Sequence, residues 1–200
     1  MKKSAWFLIS TLLTLVACQS EETGILPKKA LSESEERYLQ IGTTYSFSFD
    51  LSNAGHQEIE ELSFYSKRYQ DGEPVEEDSN ELFTLFFDKD TPFSAYEELT
   101  LAIKEQELDE TLYYTCWIEG VEKEGDRVMY STGPLAVPAL SGVDGKVALE
   151  AEQLDLQMED NPLVLIHSGN SGASNWYEPK QLQQTIADEQ DVLVFGLIWH

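Results

Sequence analysis

From residue 44 to residue 137 apolar and polar side chains alternate with a period of two, the mark of half-buried strands. Tyr45, Phe47, Phe49 and Leu51 alternate with Thr44, Ser46, Ser48 and Asp50, and Asn53, Ala54 and Gly55 end that run. Residues 59–69 put Leu62 and Phe64 on one face and Tyr65, Lys67 and Tyr69 on the other, until Asp71, Gly72 and Pro74 break the pattern. Residues 82–87 are apolar on both faces, as a central or covered strand is. Leu99, Leu101 and Ile103 alternate again. Leu112, Tyr114, Cys116 and Ile118 then alternate with Tyr113, Thr115 and Trp117, which predicts Tyr114 and Cys116 inside and Tyr113 and Trp117 outside. A loop at 120–126 leads to short strands at 128–130 and 134–137. Six or seven short strands with turns between them predict an antiparallel β-sandwich over residues 43–140.

After Leu140, Ser141 and Gly142 the character changes. Residues 147–151 and 154–158 read as strands, and Asn161 and Pro162 turn the chain into an apolar run at 163–166. A Gly-, Ser- and Asn-rich loop follows at 167–177. Pro179 then sits at a first helical position, with Tyr177 and Leu182 placed as a hydrophobic staple. Leu182 and Ile186 give this helix one apolar face, and residues 192–199 form a last strand. Strand, loop, helix and strand predict a right-handed crossover between parallel strands. Residues 141–200 are too few to bury a core alone and are expected to pack on the sandwich as a β-rich extension. Near the other end, Ser32 with Glu35 three residues later is a capping box. It predicts a short helix to about residue 40, within a tether spanning residues 18–42.

The first residues change the picture. Lys2 and Lys3 precede a thin apolar run at 5–17. That run is shorter than the roughly 20 apolar residues needed to span a bilayer, and it has the order of a secretory signal. Leu15, Val16, Ala17 and Cys18 resemble the lipobox of bacterial lipoproteins. The resemblance implies that residues 1–17 are a signal peptide and that Cys18 becomes the mature N-terminus. It also implies that Cys18 carries acyl chains such as palmitate, with the body of the protein outside the cytoplasm. Two or more acyl chains anchor a protein stably where one does not.

Thirteen basic residues stand against 37 acidic ones, a formal charge of −24. Cleavage before Cys18 removes two lysines and no acids, which takes the charge to about −26. Such a chain repels nucleic acid and anionic lipid and admits cationic partners, including metal ions and basic peptides. There are two cysteines. With Cys18 lipidated, Cys116 has no intrachain partner, which excludes a disulfide framework and thiolate zinc.

Leu108, six residues before Tyr114, resembles the fibronectin type III pattern. The run Tyr114, Thr115 and Cys116 resembles the tyrosine corner of immunoglobulin domains. Over residues 43–140 the resemblance implies an immunoglobulin-like or fibronectin type III-like sandwich, with the Tyr114 hydroxyl bonded to backbone near the start of its strand. The early-strand Trp and the second disulfide cysteine of those families are absent.

Gly169, Asn170, Ser171 and Gly172 resemble the nucleophile motif of trypsin-like serine proteases, with His56, Asp88 and Asp90 earlier in the order His, Asp, Ser. The motif departs from that family at Ala173 and Ser174, and His56 lacks an apolar flank. A serine hydrolase using the Ser171 loop is therefore an alternative rather than the main reading. The same loop is a poor phosphate cradle, because Glu178 opens its helix. Asp88, Lys89 and Asp90 start like a calcium loop, but Phe93 and Leu99 stand where Gly and Glu belong. A structural calcium, and with it a calcium-dependent binding module, is the remaining cofactor alternative. His56, His167 and His200 make no zinc pattern.

If residues 59–69 and 111–119 are neighbouring strands, then Tyr65, Tyr69, Tyr113 and Trp117 form one outward platform around Lys67 and Thr115. Such a platform suits sugar rings or a partner protein. The competing expectation is that the C-terminal segment lies over that sheet and buries the rings. Asn175, Trp176 and Tyr177 are the second candidate surface. The sequence thus reads as a lipid-anchored envelope protein with a non-catalytic binding role toward an envelope protein or glycan. It assigns no catalytic residue and no metal ligand.

Overall fold

The computed structural model describes residues 24–52, 54, 59–108, 111–123, 125–131, 135–137, 146–168 and 179–200. Cys18, His56, Ser171 and its loop, and Asn175, Trp176 and Tyr177 lie outside the described residues. The strands are β1 (Ile25–Pro27), β2 (Tyr45–Asp50), β3 (Glu61–Gln70), β4 (Glu73–Phe86), β5 (Tyr96–Leu108), β6 (Thr111–Glu122), β7 (Arg127–Ser131), β8 (Leu135–Val137), β9 (Lys146–Glu150), β10 (Gln153–Asp155), β11 (Asp160–Ser168) and β12 (Asp191–Trp199). Two helices, α1 (Glu33–Gly42) and α2 (Pro179–Asp188), complete the set.

The capping box forms as the sequence predicts. The Ser32 hydroxyl accepts the Glu35 N–H, and the Glu35 carboxylate accepts the Ser32 N–H at 2.8 Å. The Ser32 hydroxyl, donating to the Glu35 carboxylate, and then the Ser32 N–H hold that carboxyl below its usual range. The helix runs through Gly42, and the Thr43 N–H and hydroxyl both bond the Leu39 carbonyl.

Sheet I has the order β4-β3-β12-β11-β9, and sheet II has β2-β5-β6-β7 with β8 also on β6. β1 and β10 form a small ribbon. Every ladder is antiparallel. One core lies between sheets I and II. Phe47, Phe49, Leu101, Ile103, Tyr114, Cys116 and Ile118 from sheet II meet Leu62, Phe64, Val164, Ile166, Leu193, Phe195 and Leu197 from sheet I. The Tyr114 and Phe195 rings touch across it, with centroids 5.1 Å apart. The fold is mostly β, two antiparallel layers face to face.

Four expectations need correction. Residues 141–200 are not an appendage on a finished sandwich. β12 lies between β3 and β11, and this segment supplies three of the five strands of sheet I. The reason is composition: β12 is buried along almost its whole length, as a strand apolar on both faces must be. The predicted parallel crossover is instead an antiparallel β11–β12 pair, with His167 opposite Val192. The chain leaves β11 and starts β12 at the same end of the sheet, so α2 is an excursion.

Residues 82–87 are not in a central strand, although Leu82, Phe83, Leu85 and Phe87 are partly covered against the core. β4 is the outermost strand of sheet I, with Phe83 against Phe64 at 5.3 Å and Phe86 76% exposed. Asp71 and Gly72, at φ 47° and 83°, are the tight turn of the β3–β4 hairpin. Positive φ at both central residues is what a type I′ turn requires. The strand resumes at Glu73 and Pro74, where a proline is tolerated because this strand is at the edge.

Tyr114 is fully buried as predicted, but its hydroxyl donates to the Glu105 carboxylate at 2.8 Å and not to backbone. Glu105 is its register partner on β5 and shares its face, so the acceptor lies across the hairpin.

Candidate binding surfaces

The four-ring platform is not formed. Tyr65 and Tyr69 lie on β3 in sheet I, and Tyr113 and Trp117 lie on β6 in sheet II. Parity along each strand is as predicted; the pairing of the strands is not, because β12 occupies the flank of β3.

On sheet I the outward rings are covered. Tyr65 is 4% exposed and sits opposite Gly196. A Cβ at Gly196 would come within 2.5 Å of the Tyr65 hydroxyl and 2.8 Å of the Asn161 carbonyl, so only glycine admits this close approach. The Tyr65 hydroxyl donates to Asp160 Oδ1 at 2.5 Å. Lys67 Nζ donates to Asp160 Oδ2 at 2.9 Å and lies 4.2 Å from the Tyr65 ring centroid. Tyr69 is half-buried beside a second apolar cluster, in which Leu182 and Ile186 of α2 join Leu165, Val192 and Val194. On the outer face of sheet I, α2 thus covers one end, and the Tyr65–Lys67–Asp160 lock holds the Tyr65 ring down at the other.

The outer face of sheet II is built differently. Register aligns Ser46, Ala102, Trp117 and Ser131 in one row, and Ser48, Thr100, Glu119 and Met129 in the next. Trp117 stands in a row of small residues. Tyr113 is four residues away on the same face, about 13 Å along the strand at about 3.3 Å per residue. It has Gln106 on one side and Ala136 on the other. Both rings are half-buried, and Met129 is 67% exposed. α1 touches this sheet along its edge strand β2.

The charges of this face balance. Strand parity gives it Lys104 and Arg127 against Asp50, Glu98 and Glu119, and Lys29 reaches Glu98 from its edge. Arg127 pairs with Glu119 at 3.0 Å, and Lys29 pairs with Glu98. Burial works against the Glu98 carboxylate, but Lys29, Ser48 and Thr100 together hold it below its usual range. Asp50 is lowered by Ser52, through its side-chain hydroxyl first and then its N–H.

Sequence reasoning missed a buried ionic cluster on the inner face of sheet I. Arg68 is 3% exposed and Asp191 fully buried. Arg68 Nε and Nη2 donate to the two Asp191 oxygens at 2.9 and 2.6 Å, and Nη1 reaches Asp78 at 3.1 Å. The hydrogen bond to Asp191 raises the Arg68 pKa further, against burial. Asp78 arrives because β4 bulges: the register jumps from Ser66–Asn80 to Arg68–Val75. The signal was present, since Arg68 continues the inward row of Leu62, Phe64 and Ser66. In the core, burial pushes the Cys116 thiol up to about 12. Burial, followed by the nearby Glu105 charge, also raises Tyr114 and Tyr45.

Asp88 acts as a turn acceptor, taking the N–H groups of Asp90 and Thr91 at 2.8 Å. Among the described residues no group of three or more His, Cys, Asp or Glu is arranged to hold a metal ion. No described helix is long and apolar enough to cross a membrane. Compared with known proteins, the chain matches no family model, no curated protein and no solved structure.

Proposed function

We propose that this chain is a lipid-anchored, extracytoplasmic protein with a non-catalytic binding role, and that the outer face of sheet II is the surface it offers to an envelope protein. The observation that carries the reading is Trp117 with Tyr113 on a face whose charges cancel, in a chain of formal charge −24. Protein interfaces are enriched in Trp and Tyr and depleted of charge at their centres. A flat, charge-balanced row around one Trp fits that chemistry, while the acidic remainder keeps the body soluble at the membrane.

The anchor rests on Cys18 and its preceding residues. Within the β class we read the sandwich as immunoglobulin-like in its layering alone, since a C-terminal strand runs through the middle of sheet I.

A photo-crosslinking side chain at Thr115, introduced into the anchored protein in intact envelopes, tests the surface. A discrete adduct that disappears in the Trp117→Ala background supports it. Adducts that persist unchanged in that background contradict it. Cys18→Ser should release the protein from membranes; retention after a high-salt wash would assign the hold to a protein partner.

A further inference from the structure

A second site is built into the opposite sheet. Between β3, β4 and β12 lies an open cavity of about 220 Å³, lined by Glu61, Ser63, Lys67, Asn80, Glu81 and Ile198 among others. Two features open it. β4 carries irregularities opposite Tyr65 and beyond Ser66, and the hydroxyl end of Tyr65 reaches over Gly196. Its volume suits a single ring rather than an extended molecule.

The lining decides the chemistry of the ligand. Lys67 spends one N–H on Asp160 and has two more donors. Asn80 presents both a donor and an acceptor. Ser63 and Thr84 share a hydrogen bond of 2.7 Å, and Thr84 donates on to Glu81. Among the described residues neither Glu61 nor Glu81 is in an ion pair, so their remaining oxygens are acceptors. An organic cation has donors for the carboxylates but nothing for Lys67 or the Asn80 N–H groups. An anion has the opposite failing. A neutral ligand with several hydroxyls satisfies both sets, and Ile198 offers an apolar wall for its C–H face. We infer that this cavity binds one neutral sugar ring, as the end or a branch of an envelope glycan.

The test uses the full-length protein in detergent on an array of neutral and acidic glycans, with spermidine and alanine as competitors. Binding to neutral glycans is expected. It should fall about tenfold or more in Asn80→Ala and in Glu81→Gln, as loss of hydrogen bonds to charged or amide groups predicts, with thermal stability unchanged. Trp117→Ala should leave it intact, which separates this site from the surface on sheet II. The proposal is overturned if no neutral glycan binds, if Asn80→Ala binds as well as the parent, or if spermidine or alanine displaces the sugar.

Discussion

The two outer faces of this sandwich carry similar aromatic side chains and use them in opposite ways. On sheet I, Tyr65 is pressed over Gly196, tied to Asp160 and covered by Lys67, and α2 closes the other end of the face. On sheet II, Trp117 and Tyr113 stand half-buried among small and charge-balanced neighbours. The difference teaches that outward parity alone does not make a binding surface. What decides is whether the strands beside it offer a close glycine and a carboxylate that draw the ring down, as β12 does with Gly196 and β11 with Asp160.

The comparison can be broken most sharply from inside sheet I. Arg68→Ala removes two charged hydrogen bonds from the buried Asp191 carboxylate, and should cost about 3–5 kcal/mol, measured by urea unfolding. A loss under about 1 kcal/mol would mean that the cluster is hydrated and not structural. On the covered outer face, Gly196→Ala forces Tyr65 off its seat and crowds the Asn161 carbonyl. It should cost about 1–3 kcal/mol, as overpacking does, and Tyr65→Ala in the same chain should recover part of that loss.

The core predicts an alkaline limit. Cys116 titrates near 9.0 when unfolded and is pushed up to about 12 when folded; Tyr45 and Tyr114 shift in the same direction. A raised folded pKa gives stability that is complete below the unfolded value and lost as pH rises toward the folded one. Stability should therefore fall by roughly 1 kcal/mol per pH unit above 9 from the thiol alone. Cys116→Ala should remove that contribution in a pH series of melting curves. At pH 8 the native thiol should resist alkylation that the unfolded chain accepts.

The smallest expected effect on stability lies on sheet II. Trp117→Ala should cost about 1 kcal/mol or less, because the ring is only half-buried. Partner affinity should weaken by about 2 kcal/mol, as for an interface anchor. A stability loss of 3–5 kcal/mol, typical of a buried Trp, would make the two faces alike and retire the contrast.

Much of the architecture was legible from local pattern. The capping box at Ser32 and Glu35, the inward set Tyr114, Cys116 and Ile118, and α2 with Leu182 and Ile186 all follow from spacing, because each depends on neighbours a few residues away. Strand pairing was not legible. Nothing between residues 59 and 70 announces that β12, more than a hundred residues later, will lie beside β3. The doubly apolar composition of residues 192–199 was the available hint of a central strand. The platform failed for the same reason, since its four rings were assigned by parity to strands that pair elsewhere. The Arg68 cluster was hidden because Asp78 and Asp191 lie ten and 123 residues away.

The most direct test of the contrast is hydroxyl-radical footprinting of the anchored protein in intact envelopes against the purified protein. Trp117, Tyr113 and Met129 should be protected in envelopes while Phe86, on the edge strand of sheet I, reacts equally in both. Equal oxidation of Trp117 in the two preparations, or protection of Phe86 in its place, would contradict the contrast.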